Sequence, residues 1–168
     1  HLNIPLTQVI YNGKPVVLEG GAIDVNGKGT LITSEECLLH PTIQIRNKNF
    51  TKVDYEAIFK EYLGITNVIW VGDGIVGDDT HGHIDDLCRF VNEDTIITVI
   101  ESNPKSKNFK PLQDNLNRLK KAVLENGKSI KIVELPMPTP LLFDGINIPA
   151  SYANFLILNQ CVLVPTFN

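Results

Sequence analysis

The 168-residue sequence predicts an α+β fold assembled from a repeated unit of β-hairpin, helix and strand. In each unit two β-rich runs joined by a polar turn precede a helix with an apolar stripe, and an apolar strand follows that helix. The order occurs twice and begins a third time. Glu19, Asp85 and Asn154 stand at similar places in the successive units, about 65 to 70 residues apart, which is the spacing of a repeat architecture.

In the first unit, residues 19–38 hold two β-runs around Asn26-Gly27, a dipeptide suited to a tight hairpin turn. Thr51 is the expected N-cap of a helix, with Asp54 three residues on. Tyr55, Ile58, Phe59 and Tyr62 form the helix's apolar stripe, and Gly64 stops it. Residues 67–71 read as the closing strand. In the second unit, strands at 87–91 and 95–100 flank Asn92-Glu93-Asp94. A helix with Pro111 in its first turn follows; Leu112, Leu116, Leu119 and Val123 make its inner face, and Asn126-Gly127 ends it. Residues 130–135 close this unit. The third starts at Tyr152, with strands at 155–158 and 162–164 around Asn159-Gln160, and residues 6–18 and 139–149 read as irregular connections.

At 43% hydrophobic content the chain can fill the core of one domain. No apolar run approaches the length of a membrane span, and the first residues have neither the basic start nor the apolar core of a secretion signal. The net charge of -4 is mild. Lys107, Lys110, Lys120, Lys121 and Lys128 gather around one helix without interleaved aromatics, which predicts a solvated helix face and neither a nucleic-acid nor a membrane partner. Cys37, Cys88 and Cys161, odd in number and widely spaced, fit a reducing cytoplasm rather than a disulfide framework. Each lies in an apolar run and reads as a buried structural thiol.

Residues 77–86, Gly-Asp-Asp-Thr-His-Gly-His-Ile-Asp-Asp, pack two imidazoles and four carboxylates between a Gly-rich loop and the next apolar run. Carboxylates clustered beside imidazoles are a usual way to tune acid and base groups. His83 and Asp85, two residues apart, would share one face of an extended segment. Thr80-His81-Gly82-His83-Ile84-Asp85 resembles the Thr-His-x-His-x-Asp run of metallo-β-lactamase-like hydrolases, which makes a zinc hydrolase on His81, His83 and Asp85 one alternative. Asp86 stands where that family continues with His, and the other histidines, His1 and His40, lie upstream rather than downstream. The expectation is therefore no metal.

A second stretch, residues 17–33, carries Glu19 at the end of a β-rich run, followed by two glycines that let the backbone turn beside the carboxylate. Leu-Glu-Gly-Gly here, residues 29–39, Gly-Asp-Asp-Thr-x-Gly-His-Ile-Asp-Asp, and Tyr152-Ala153-Asn154-Phe155-Leu156 followed by Val164-Pro165-Thr166-Phe167-Asn168 resemble the agmatine deiminase family, in the family's order. The resemblance covers essentially the whole chain. It implies the α/β propeller (pentein) fold of five ββαβ blades, of which residues 1–168 would form about half, two blades and the start of a third.

The same resemblance implies a cytoplasmic hydrolase that converts agmatine, a small cationic guanidine, to N-carbamoylputrescine and ammonia through a covalent cysteine intermediate, with no cofactor. Asp85 would bind the guanidinium, His83 would be the general acid and base, and Glu19 would orient substrate and share proton transfer. Asp78, Asp79 and His81 would shape the loop behind them. A guanidinium is planar, cationic and offers paired N–H donors, so carboxylates suit it. A peptidylarginine or arginine deiminase of the same superfamily is the near alternative, a non-catalytic pentein binding protein a distant one, and a homo-oligomer stays open. The family's Gly-rich His-Cys segment and its Trp-x-Arg-Asp motif have no match here, so the expectation is an internal portion of a longer enzyme, with the nucleophilic cysteine outside these residues.

Overall fold

The computed structural model describes residues 4–167; His1 and Asn168, the last residue of the terminal motif, lie outside the described residues. Two three-stranded sheets dominate. In the first, β3 (Ile23–Val25) pairs antiparallel with β4 (Thr30–Ser34), and β4 pairs parallel with β5 (Asn67–Val71). In the second, β6 (Cys88–Phe90), β7 (Thr95–Ile100) and β8 (Lys131–Pro136) repeat that pattern. A third hairpin pairs β11 (Leu156–Ile157) with β12 (Val162–Leu163).

Each parallel crossover needs a helix. The first is α2 (Lys52–Leu63), which Thr51 and Asp54 close with a reciprocal capping box and Gly64 ends in the left-handed conformation at φ 70°. The second is α3 (Phe109–Lys121), whose Leu112, Leu116 and Leu119 are buried. The central strand β4 is buried at every position because both its faces are covered. Leu31 joins Tyr55 and Phe59 of α2 on one face. Ile32, with Ile69 and Val71, joins Leu112 and Leu119 of α3 on the other. The helix of the second unit thus seals the sheet of the first.

The backbone fixes the correspondence between units. Ala22, Leu87 and Asn154 each donate their N–H to the carbonyl three residues back, at Glu19, Ile84 and Ser151. Thr33 and Thr98 donate their hydroxyls to the carbonyls of Ala22 and Leu87, at 2.8 and 3.4 Å. The counterpart of Glu19 is therefore Ile84, then Ser151. Asp85 stands one place beyond it and Asn154 matches Ala22, which corrects the expected alignment of Glu19, Asp85 and Asn154.

Other expectations change for local reasons. The β-run through residue 38 ends at Ser34, whose hydroxyl accepts the Cys37 N–H at 3.0 Å and caps a short helix, α1 (Glu35–Leu39). Asn26-Gly27 lies in a four-residue loop closed by the Asn26 N–H on the Thr30 carbonyl, not in a two-residue turn. The last helix ends at Lys121 rather than Asn126-Gly127, and Val123 is 46% exposed. There the first unit captures the chain: Asn67 Nδ2 donates to the Val123 carbonyl at 2.8 Å, and the Glu125 N–H donates to Thr30 Oγ1 at 2.9 Å.

Residues 6–18 and 139–149, expected as irregular, hold two more hairpins. One pairs β1 (Ile10–Tyr11) with β2 (Lys14–Pro15), the other β9 (Leu141–Phe143) with β10 (Ile146–Ile148). Asn12-Gly13 and Asp144-Gly145 turn them, all four residues at positive φ. Cys37 and Cys88 are buried as expected, whereas Cys161 is exposed in the turn between β11 and β12.

Candidate active site

Glu19 is not in a strand. It has extended dihedrals and leads into a single 3-10 turn, Gly20–Ala22. The expected extended segment at His83 and Asp85 is likewise such a turn, Ile84–Asp86, with His83 preceding it. These two turns occupy corresponding places in adjacent units and touch. A β-carbon on Gly21 would stand 2.5 Å from His83 Nδ1 and 2.9 Å from Asp85 Oδ2, so only glycine permits the approach.

The packing brings Glu19, His83 and Asp85 together. His83 Nε2 lies 3.3 Å from Glu19 Oε2, and His83 Nδ1 lies 3.9 Å from Asp85 Oδ1. Neither approach is an aligned hydrogen bond, and Nε2 is a buried nitrogen without a hydrogen-bond partner among the described residues. The two carboxylates differ. Burial acts to raise Glu19, but the Arg46 guanidinium and the His83 imidazole outweigh it and hold its carboxyl below the usual range. Burial raises Asp85 despite the opposing charges of His83 and Arg89. Environments that push two carboxylates apart are how one site keeps an acid and a base.

Asp78 organises the loop that carries His83. One of its oxygens accepts the N–H and hydroxyl of Thr80, and the other accepts the N–H groups of Gly82 and His83, at 2.7 and 3.2 Å. His81, at φ 55°, lies 3.9 Å from Glu36 rather than beside His83. Asp79 is exposed, and its carbonyl accepts the Gln44 side chain at 2.7 Å. Further anchors come from neighbouring elements. Glu36 accepts the Gly74 N–H, Asn108 the Val76 N–H and Asn115 the Gly72 N–H.

Three contributors escape a reading of the sequence. Arg46 binds Glu19. Arg89 pairs with Asp24 at 3.2 Å, donates to the Phe155 carbonyl at 3.1 Å, and so joins three successive hairpins. Asp86, pushed up to about 6 by burial and by the charges of Asp85 and Asp78, accepts the Asn154 side chain at 3.2 Å. A lone arginine between apolar residues carries no motif; Asp86 was visible only as one more acid in the cluster.

A cavity of about 360 Å³ opens on His83 and Asp85, lined also by Asp78, Asp79, Thr80, Asp86, Pro149, Ser151, Asn154, Pro165 and Phe167; Glu19 stands behind the imidazole, outside that lining. Its described lining has four carboxylates and no lysine or arginine, which suits a cation. Among the described residues, Glu19, Cys37 and His83 could converge on an ion, their donor atoms lying within 4.8 Å of one another. This is not the His81, His83 and Asp85 set of the zinc alternative. It suits a dication poorly, since burial pushes the Cys37 thiol up to about 12 and Glu19 already holds a guanidinium.

Residues 4–168 match the family model of Porphyromonas-type peptidyl-arginine deiminase. An agmatine deiminase of Pseudomonas fluorescens is 31% identical over 94% of this chain and 47% of its own length. A C. jejuni agmatine deiminase, solved as a Cys-to-Ser variant with substrate bound, superposes with a TM-score of 0.81 at 37% identity over 90% of this chain and 43% of that one. The agmatine deiminase of Enterococcus faecalis gives 0.80 at 32% identity, over 90% and 46%. The chain spans about half the length of the curated relatives it matches.

Proposed function

Because the chain belongs to the Porphyromonas-type peptidyl-arginine deiminase family, we propose that it forms about half of an agmatine deiminase, with its hairpin–helix–strand units as two propeller blades and the start of a third. The observation that supports this reading is the meeting of Glu19, His83 and Asp85 between two units, with unequal carboxylates on either side of one imidazole.

Among the described residues Asp85 accepts no side-chain hydrogen bond, and its oxygens suit the paired N–H groups of a guanidinium. A cysteine thiolate from outside this chain attacks the guanidinium carbon, forming a C–S bond. The C–N bond then breaks as His83 gives its proton to the departing ammonia. With its proton gone, His83 takes one from water, which adds to the same carbon and displaces the thiolate, leaving N-carbamoylputrescine. Glu19 faces Nε2 of His83 throughout and steadies the imidazolium. The acidic cavity favours a substrate with no carboxylate. That condition fits agmatine, disfavours free arginine, and leaves peptidylarginine as the second reading, which the name of the matching family favours.

The test is ammonia release by the full-length protein from agmatine, arginine and a blocked arginyl peptide, with N-carbamoylputrescine identified by mass spectrometry. Agmatine should be the preferred substrate. His83→Ala should lower kcat by about two to four orders of magnitude, and Asp85→Asn should abolish turnover. Near-native activity in either variant, or preference for the peptide, would remove the corresponding part of the reading.

A further inference from the structure

Arg46 lies in the loop between α1 and α2, and its side chain is only 4% exposed. Its Nε donates to both oxygens of Glu19, at 3.0 and 3.3 Å. One terminal nitrogen donates to the carbonyls of Cys37 and Gln44, and the other to the carbonyl of Thr80 at 2.5 Å. Four of its five N–H groups are engaged within the chain, so Arg46 is unsuited to clamp a substrate anion. A buried guanidinium is costly unless its partners are arranged around it, and here those partners lie on both sides of the site.

We infer that Arg46 is a positioning residue: it fixes the Glu19 carboxylate against the loop that carries His83, and reserves Asp85 as the carboxylate that meets the substrate's charge. The inference rests on the deiminase reading. Glu19 alone is 39% exposed and would have rotamers that leave His83; the fork of Arg46 joins it to Thr80, three residues before that histidine. The groups facing Glu19 are Arg46, His83 and the Cys37 thiol, whose sulfur is 3.9 Å from Oε2, with Asp85 beyond the imidazole. Removing the guanidinium leaves burial to raise the Glu19 carboxyl with only His83 opposing it.

The experiment uses the full-length protein with Arg46→Gln and Arg46→Lys. Glu19 is followed by 13C NMR of labelled glutamate, its signal assigned by its loss in Glu19→Gln, and agmatine turnover is measured against pH. In Arg46→Gln, Glu19 should titrate at higher pH than in wild type. The acid limb of kcat should move with it, and kcat should fall on the order of a hundredfold while KM changes less. Arg46→Lys keeps the charge and should restore much of the titration but not kcat, because one ammonium cannot reach Glu19, Cys37 and Thr80 together; it also serves if Arg46→Gln fails to fold. An active wild type whose variants keep its pH profile and Glu19 titration overturns the inference and leaves the deiminase reading standing. A wild type inactive on every guanidine, with Glu19 still shifted in the variants, overturns that reading and upholds the Arg46 contact.

Discussion

Gly21 and His83 belong to different units of the chain, yet the backbone of one presses on the ring of the other so closely that no β-carbon fits between them. Gly21→Ala must therefore move the imidazole, or Asp85 behind it. On the proposed deiminase reading, kcat/KM of the full-length protein for agmatine should fall about a hundredfold, the effect of displacing a catalytic group by about 1 Å. Gly20→Ala is the control, since a β-carbon there meets nothing within 4 Å. Steady-state kinetics on the two variants check the contact, and equal activities would disprove it.

Asp86 supplies a prediction about pH. Its folded carboxyl titrates near 6, above its unfolded value, because burial and the charges of Asp85 and Asp78 oppose ionisation. The native state then binds more protons than the unfolded chain between about pH 4 and 6, and stability attributable to this group is lost as pH rises through that window. Asp86→Asn should raise Tm by a few degrees at pH 7, and the gain should vanish below about pH 4. Calorimetry across that range reads the effect; a gain that persisted in acid would contradict it.

The end of α3 can be tested by truncation. Leu119 is 1% exposed and Val123 is 46% exposed. Leu119→Ala should cost about 2–5 kcal/mol of unfolding free energy, and Val123→Ala less than about 1 kcal/mol. Denaturant titration distinguishes them. Comparable losses would restore Val123 to the inner face of the helix.

Thiol chemistry separates the three cysteines. Burial pushes Cys37 up to about 12 and Cys88 up as well, whereas Cys161 is exposed. Iodoacetamide under native conditions should modify Cys161 in the 168-residue chain and spare the other two, as mass spectrometry would show. That chain alone should release no ammonia from agmatine. Turnover that disappeared on alkylation would make one of these cysteines a nucleophile.

Elements bounded by their own residues were legible in the sequence. Thr51, Asp54 and Gly64 specify α2 at both ends, and the near-continuous apolar runs of β5 and β7 specify strands. The acid-rich stretch around His83 was visible because its density is local. What escaped depends on distant partners. Asn67 and Thr30 decide where α3 stops, and nothing near Val123 announces them. Arg46 gains its meaning from Glu19, far back in the chain. The hairpins at Asn12-Gly13 and Asp144-Gly145 were missed for another reason: their strands are two or three residues long, too short for a period to emerge.

The bond of Arg89 to Asp24 and to the Phe155 carbonyl has a kinetic consequence. It spans three hairpins that are far apart along the chain, and the meeting of Glu19 with His83 likewise joins two distant units. Contacts of such long range close only after the intervening loops have surrendered their freedom, so they form late. The hydrogen bonds within each helix are local, but the acidic cavity cannot exist before the units dock. Mutations at Asp24 or Arg89 should therefore act on the unfolding rate more than on the folding rate.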